Sequence, residues 1–491
     1  MKKIISAFMI LVFSLSITAQ EHTSETVKDK EKTEASFFWG LFKSKRYPKD
    51  KTVVFDFEVS KTSEELNSTK ENEYKEKSIL GGAIKWTKKK PKKEVMSIDP
   101  KAIQEIDTTI ALKERFGFIA NEIGDSRIVA LGEQTHTPDI SFKVRADLIE
   151  YLIEYHDFDL ILFESGLFDI QLATENMQKS NSIQDLQNGL YGFWGQIPQH
   201  KRLFEYFQSK LDSKEGIAFA GFDHKVTSKL VGTTDIYSKT LSALLLDIDI
   251  DPNSTEYKEY IATWQAIEEN RKKGGLSQLV FPMTETEKNH FAKLSAYFQQ
   301  KVLATNNKLW QHIIRGYDEG VILYSDFSME KAQSDPSYIL KINNNRDRLM
   351  ADNLKFLLGE VYKDKKIILI GATYHFSKNV DKVTPNNIMG VDFSKSYTAG
   401  ELISTEYDEK IFTIGFTAPA SYTCNNDVYK GSLACLQKNK GYDIAYHPLH
   451  QWNLEEEDES KQQILRLFVP QMATKHPNWN EVLDAVVLIN K

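Results

Sequence analysis

Long apolar runs, a basic excess, internal repeats and abundant cysteine are all missing from this 491-residue chain. After residue 20 no apolar stretch approaches the roughly 20 residues that cross a bilayer, so a transmembrane segment in the mature chain is excluded. The 62 basic side chains are outnumbered by 69 acidic ones, a formal charge of −7. Such a chain has no field drawing it onto polyanions, which argues against nucleic acid as a partner. The run Lys88-Lys89-Lys90-Pro91-Lys92-Lys93 reads as a solvated linker. No Gly-x-Ser-x-Gly elbow occurs, so a serine hydrolase of the α/β-hydrolase type is excluded. No His-Glu-x-x-His occurs either, and with it goes a zincin. Cysteine is limited to Cys424 and Cys435. Their short spacing suits one structural staple without a catalytic part, the alternative being two unpaired thiols.

What is present begins with a leader. Lys2 and Lys3 precede an apolar stretch from Ile4 to Ala19, and small or polar residues follow at Thr18-Ala19-Gln20. This is the pattern of a secretory signal, so the protein is expected to be exported, periplasmic or secreted, after cleavage near Ala19-Gln20. Loss of Lys2 and Lys3 takes the charge to about −9. Residues 21–104 form a polar lead-in, expected to be loosely attached. Two patches interrupt it, Ser36–Phe42 and the strand-like alternation of Lys51–Val59.

From about residue 105 to 491 short apolar runs alternate with amphipathic stretches, the signature of an α/β domain. The expected strands are 127–132, 159–163, 216–222, 366–371, 410–416 and 484–489. Residues 140–155 carry Phe142, Val144, Leu148, Leu152 and Tyr155 at helical spacing. A helix there would join the first two strands as parallel neighbours by a right-handed crossover. Residues 225–355 lack strand signals and read as a helical insertion, broken at Gly274-Gly275, Pro282 and Pro336. The expected architecture is thus a central, mostly parallel sheet flanked by helices, with a large helical insertion.

The chemistry is expected where strands end. The first ends in Gly132-Glu133-Gln134-Thr135-His136, the second in Glu164-Ser165-Gly166, the third in Asp223-His224, the fourth in Thr373-Tyr374-His375. The carboxyl edge of such a sheet forms the binding crevice, so these residues would converge. Each has a duller reading: Asp139 as a helix cap, His224 and His375 as structural hydrogen-bonders. Glu133 and His136 stand out, because this turn sets a carboxylate beside an imidazole. An imidazole titrates near neutrality and can take a proton from water. A carboxylate fixes its tautomer and stabilises the imidazolium. Glu164 could hold the water or the substrate. Arg145, nine residues past His136, either binds substrate or forms a structural salt bridge. Glu133/His136 and Glu287/His290 share the Glu-x-x-His spacing of di-metal sites, but the first lies on a strand-to-loop turn and the second suits an exposed helix face.

These residues resemble a known family. The run Val129–His136, then Phe142, Arg145 and Phe163-Glu164, looks like the opening motif of the erythromycin esterase family. Trp194, Gly221-Phe222-Asp223 and the helix Arg346–Asn353 resemble its later blocks, and Met389-Gly390, Ile414-Gly415-Phe416 and 484–489 follow in order. The resemblance spans roughly residues 110–490. It implies metal-independent hydrolysis of an ester or lactone without a cofactor, and a small-molecule substrate. His136 would activate water, Glu133 and Glu164 would assist, and Arg346 and His375 would complete the catalytic set. Arg145, Asp223, Trp194 and Tyr374 would contact substrate, with Arg346 or Arg145 facing the oxyanion. One departure is visible: the family's His-Asn-x-His segment reads Ala372-Thr373-Tyr374-His375 here, so only its last histidine is kept. Macrolide cleavage, and with it antibiotic resistance, therefore does not follow from the resemblance. The alternative is a ligand-binding protein on the same scaffold, for example for haem.

Overall fold

Apolar runs flanked by polar turns bury themselves as central strands when both faces of a sheet are covered. The computed structural model describes residues 100–134, 140–383, 387–388, 391–417, 433–449 and 479–489, with short strand pairs elsewhere. In it the six expected runs become β2 (Ile128–Glu133), β3 (Leu160–Gly166), β4 (Ala218–Asp223), β5 (Ile367–Ala372), β6 (Ile411–Thr417) and β8 (Ala485–Ile489). Two strands of the same sheet were not anticipated: β1 (Gln104–Glu105) and β7 (Ile444–Pro448). Both are antiparallel additions at one side of the sheet. Their polar, aromatic and proline content hid them from an apolar-run reading. The spatial order is β1-β7-β8-β6-β2-β5-β3-β4. The other six strands are parallel.

One expectation of neighbourhood is corrected. β2 and β3 are parallel but not adjacent, because β5 lies between them and Ile367 registers with both Ile128 and Leu160. The 17-residue crossover helix spans one strand position, and the chain fills it only after the insertion is complete.

Strand alternation sorts the core into two layers. Val129, Leu131, Ile161, Phe163, Ile368 and Ile370 face helices α1 (Leu112–Ile123) and α2 (Ile140–His156). On α2, Phe142, Val144, Leu148 and Leu152 are buried as expected, but Tyr155 is 48% exposed. Its ring packs at a tilt against Tyr151 at the helix end, where the buried stripe has already rotated away. Ile128, Ala130, Leu160, Leu162, Ile367 and Leu369 face the opposite layer. That layer holds the start of α3 (Leu167–Ser180), whose Ile170 and Met177 join the first layer, and the insertion helices α4 (Ile236–Asp247), α5 (Thr255–Arg271), α6 (Glu285–Ala304), α7 (Lys308–Tyr324) and α8 (Pro336–Phe356).

The insertion's breaks have local causes. Gly274 and Gly275 take positive φ values of 73° and 60° after α5. Thr284 and Glu287 form a capping box at the start of α6, which gives Glu287 a structural task. Asp335 caps α8 and Pro336 occupies its first turn. Inside the insertion, buried acids tie helices together. Asp318 of α7 accepts from Tyr260 Oη at 2.6 Å and Trp264 Nε1 at 2.9 Å on α5. Asp169 of α3 accepts from Tyr317 Oη at 2.5 Å and from the Ser228 amide. Burial pushes these carboxyls up to about 7 and about 6, so both gain from the hydrogen bonds around them.

Residues 19–93 are a separate unit. It contains two antiparallel pairs, Glu34–Phe37 with Phe42–Lys45 and Tyr74–Ile79 with Ile84–Lys89. The expected leader and the expected strand at 51–59 lie outside the described residues. Cys435 is disulfide-bonded, and Cys424 is outside the described residues. No helix among the described residues is long and apolar enough to cross a membrane.

Candidate active site

Four elements deliver one charged cluster to the carboxyl edge of the sheet. On α8 the positions Asn343, Arg346, Asp347, Met350 and Asn353 recur at helical spacing and are all buried. A buried stripe with a charged middle requires partners from the sheet, and the strand ends provide them. Arg346 Nη2 donates to Glu164 Oε1 on β3 and to Asp223 Oδ2 on β4, each at 2.6 Å. Its Nη1 donates to His375 Nε2 at 2.7 Å. His375 belongs to α9 (Thr373–Phe376), directly after β5. Glu164 Oε2 also accepts from the Ala372 amide at 2.7 Å, which pins the carboxylate to the neighbouring strand.

A guanidinium only donates, so His375 Nε2 must accept. The ring hydrogen therefore sits on Nδ1, which donates to Asp347 Oδ1 at 2.8 Å. The same carboxylate oxygen accepts from the Ala399 amide at the start of α10 (Ala399–Tyr407). His375 is thus a link in a chain from Asp347 to Arg346, with its lone pair already engaged. Burial alone would push the Asp223 carboxyl up, but Arg346 overrides this and holds it well below the usual range. Asp223 Oδ1 accepts from the His224 amide at 2.7 Å. The His224 ring stacks on Tyr324 of α7 against Gly320, where an added Cβ would fall 2.5 Å from Cδ2.

Close packing at this edge depends on glycine. Gly415, Gly132 and Gly371 lie level across β6, β2 and β5. A Cβ on Gly132 would stand 2.6 Å from Thr373 Cα, and one on Gly371 would stand 2.9 Å from Glu164 Oε2. The bare row lets α9 fold back across the strands and sets His375 beside Arg346.

Glu133 enters a different cluster. It accepts from Arg145 Nη2 at 2.9 Å, both residues being almost wholly buried. The guanidinium lies over the rings of Phe142 at 4.7 Å and Trp194 at 4.8 Å. Among the described residues its Nε and Nη1 have no hydrogen-bond partner. Trp194 is itself held by His200, whose Nδ1–H donates to the Trp194 carbonyl at 2.8 Å. Burial, reinforced by the Arg145 charge, pushes the His200 imidazole down to about 3. It therefore adds no second cation beside Arg145.

The expected convergence takes a corrected form. Glu133 registers with Ala372, whereas Phe163 registers with Ile370, so Glu164 comes one step earlier, level with Gly371. Successive residues point to opposite faces. Glu133 thus turns to the α2 side and Glu164 to the α8 side, at the same sheet edge, each with its own arginine. Arg346, Asp223, Glu164 and His375 come together as expected, and Arg145 and Trp194 join Glu133. Tyr374 is placed differently: it packs among Val380, Phe393 and Leu483, and its hydroxyl meets Ser396 Oγ at 2.5 Å. Its ring and hydroxyl thus anchor α9 to the segment around Phe393 and Ser396. His136 and Asp139 lie outside the described residues, as do Met389 and Gly390.

Two participants escaped the sequence reading. Asp347 had a signal in the Arg346-Asp347 pair on a helix whose other positions bury apolar groups. Lys225, buried two residues past Asp223, had none.

Fold and site together define a protein class: an α/β domain with a carboxylate–arginine–histidine cluster at the carboxyl edge of its parallel strands. A family model described as erythromycin esterase matches residues 153–434, and the chain belongs to that family. Hydrolysis is the activity class that membership carries. The matched segment takes in Glu164, Asp223, Arg346 and His375, and starts after the Gly132–His136 turn. A Bacillus subtilis (strain 168) protein named "Putative hydrolase YbfO" is 22% identical over 319 residues, 64% of this chain and 70% of its own. Among solved structures, a mutant of the erythromycin esterase EreC in its open conformation matches with a TM-score of 0.53 at 15% identity. It covers 81% of this chain and 97% of its own. A structure described as a succinoglycan biosynthesis protein matches with a TM-score of 0.57 at 14% identity, covering 80% and 95%. At these identities the structures speak for the fold alone.

Proposed function

We propose that this chain hydrolyses a carboxylic ester or lactone by direct attack of water, without a covalent enzyme intermediate. The carrying observation is the buried Glu164–Arg346–Asp223–His375 cluster, assembled from four separate elements at the edge where α/β sheets bind ligands. His136, three residues past Glu133, takes a proton from water as the oxygen adds to the carbonyl carbon. The resulting oxyanion is met by Arg145. Arg145 suits this better than Arg346, because both terminal nitrogens of Arg346 already donate, to Glu164, Asp223 and His375, while Arg145 Nη1 has no partner among the described residues. The tetrahedral centre then collapses, the C–O bond breaks, and the imidazolium returns its proton to the leaving alkoxide. Glu133 holds Arg145, and Glu164 orients the water by accepting a hydrogen bond from it. The leader at residues 1–20 supports a site of action outside the cytoplasm.

The test is a screen of the full chain against p-nitrophenyl esters, simple lactones and macrolides. Activity on at least one is expected, with His136→Ala losing 100-fold or more. Undiminished activity in His136→Ala would remove the proposed base, and inactivity of the wild type on all three classes would remove the reading.

A further inference from the structure

Among the described residues Arg145 is tied to the protein by one hydrogen bond, from Nη2 to Glu133. One bond leaves a guanidinium free to swing about it, so its plane is set by the aromatic faces it lies over, Phe142 and Trp194. Trp194 sits in the four-residue helical turn Gly192–Gly195, too short to be held by its own backbone bonds. Two side chains hold it from outside. Gln187 Nε2 donates to the Gly195 carbonyl at 3.0 Å and touches backbone only. His200, buried in the next turn, donates from Nδ1 to the Trp194 carbonyl at 2.8 Å and also touches the rings. Its imidazole lies within 3° of parallel to the Trp194 indole at 6.3 Å and tilts against Phe142 at 5.2 Å. The edge of Phe204 closes its far contact at 6.2 Å.

We propose that His200 is the positioning residue for Arg145: through its Nδ1–H and its ring it fixes the Trp194 and Phe142 faces that aim the guanidinium at the oxyanion. It touches neither substrate nor the reacting atoms. The effect on rate rests on the hydrolase reading, while the placement of Trp194 and Arg145 stands apart from it. Two features of the imidazole matter. A carbonyl only accepts, so the donor must stand at the Nδ1 position. The ring is also uncharged, which leaves Arg145 as the single cation over these faces.

The experiment compares three variants of the full chain. His200→Asn keeps an amide donor where Nδ1 stood, His200→Gln carries its amide one bond further out, and His200→Phe keeps a ring without a donor. In p-nitrophenyl acetate hydrolysis the Phe and Gln variants should lose about tenfold in kcat and about twofold or less in KM, because Arg145 meets charge that develops only in the transition state. His200→Asn should recover kcat to within about threefold of the wild type. In an Arg145→Lys background, adding His200→Phe should cost only about twofold more, since the two residues act as one unit. In parallel, ¹⁹F NMR of chain carrying 5-fluorotryptophan reads the Trp194 resonance, assigned with Trp194→Phe. It should move in His200→Phe, His200→Gln and Arg145→Lys, and stay near its wild-type position in His200→Asn. Should His200→Phe not fold, His200→Gln takes its place throughout. Equal losses in the Asn and Gln variants, a full loss that persists beside Arg145→Lys, or a Trp194 resonance unmoved by loss of the donor overturns the proposal. A wild type whose Trp194 resonance responds as expected but which hydrolyses no ester leaves His200 assigned and removes the hydrolase reading.

Discussion

Replacing Arg346 by methionine should separate stability from pH in a characteristic way. The change fills similar volume but leaves Glu164 and Asp223, each at most 1% exposed, without the guanidinium they share. Removing one partner of a buried ion pair costs about 3–5 kcal/mol at neutral pH, a large share of the roughly 5–15 kcal/mol that holds most domains folded. The penalty should depend on pH. In the wild type Arg346 keeps the Asp223 carboxyl well below its ordinary value, so its stabilisation is present above about pH 4 and lost only as pH falls through the depressed folded value. In the variant burial is opposed only by the weaker His224 and Lys225 contributions, so the carboxyl rises and can escape part of its cost by taking up a proton. The stability gap should therefore narrow on acidification. Urea unfolding followed by tryptophan fluorescence at pH 8 and pH 5 would measure it. A gap below about 1 kcal/mol at both values, or one that widens at pH 5, would refute a buried, Arg346-centred cluster.

Other outcomes follow from single residues. Gly132→Ala should cost about 1–3 kcal/mol or more by thermal unfolding and lower activity, because the new Cβ meets Thr373 backbone and lifts α9 with His375. Wild-type stability should fall as pH rises from about 4 to 7, since Asp318 and Asp169 hold protons in the folded state that they release when unfolded. Asp318→Asn should remove a large part of that slope in calorimetry across the same range. Arg145→Lys, which keeps a charge but loses the planar fork, should lower kcat by about 100-fold and move KM little, read in steady-state kinetics.

The buried strands were legible because each is a continuous apolar run, and the insertion was legible because its helices carry a 3.6-residue period. Strand adjacency was not: nothing between residues 133 and 160 announces that β5 will enter from more than 200 residues away. β7 was hidden by Tyr446, His447 and Pro448, residues chosen by its place at the antiparallel side of the sheet. The site was legible in outline, since ionisable groups after apolar runs mark a strand edge. Which face each group takes depends on register to within one residue, and that separated Glu133 from Glu164. Asp347 went unnoticed although the Arg346-Asp347 pair on an otherwise mostly apolar helix stripe was a signal, while Lys225, in the turn after β4, left no local pattern. The partner of the Tyr374 hydroxyl, Ser396, lies 22 residues away and left no sign beside His375.

Direct water attack can be tested by one turnover in H₂¹⁸O with p-nitrophenyl acetate or a simple lactone, followed by mass spectrometry of product and protein. The account predicts one ¹⁸O in the product carboxylate and unlabelled peptides containing Glu133 and Glu164. Label entering either glutamate in the first turnover, with the product unlabelled, would contradict it.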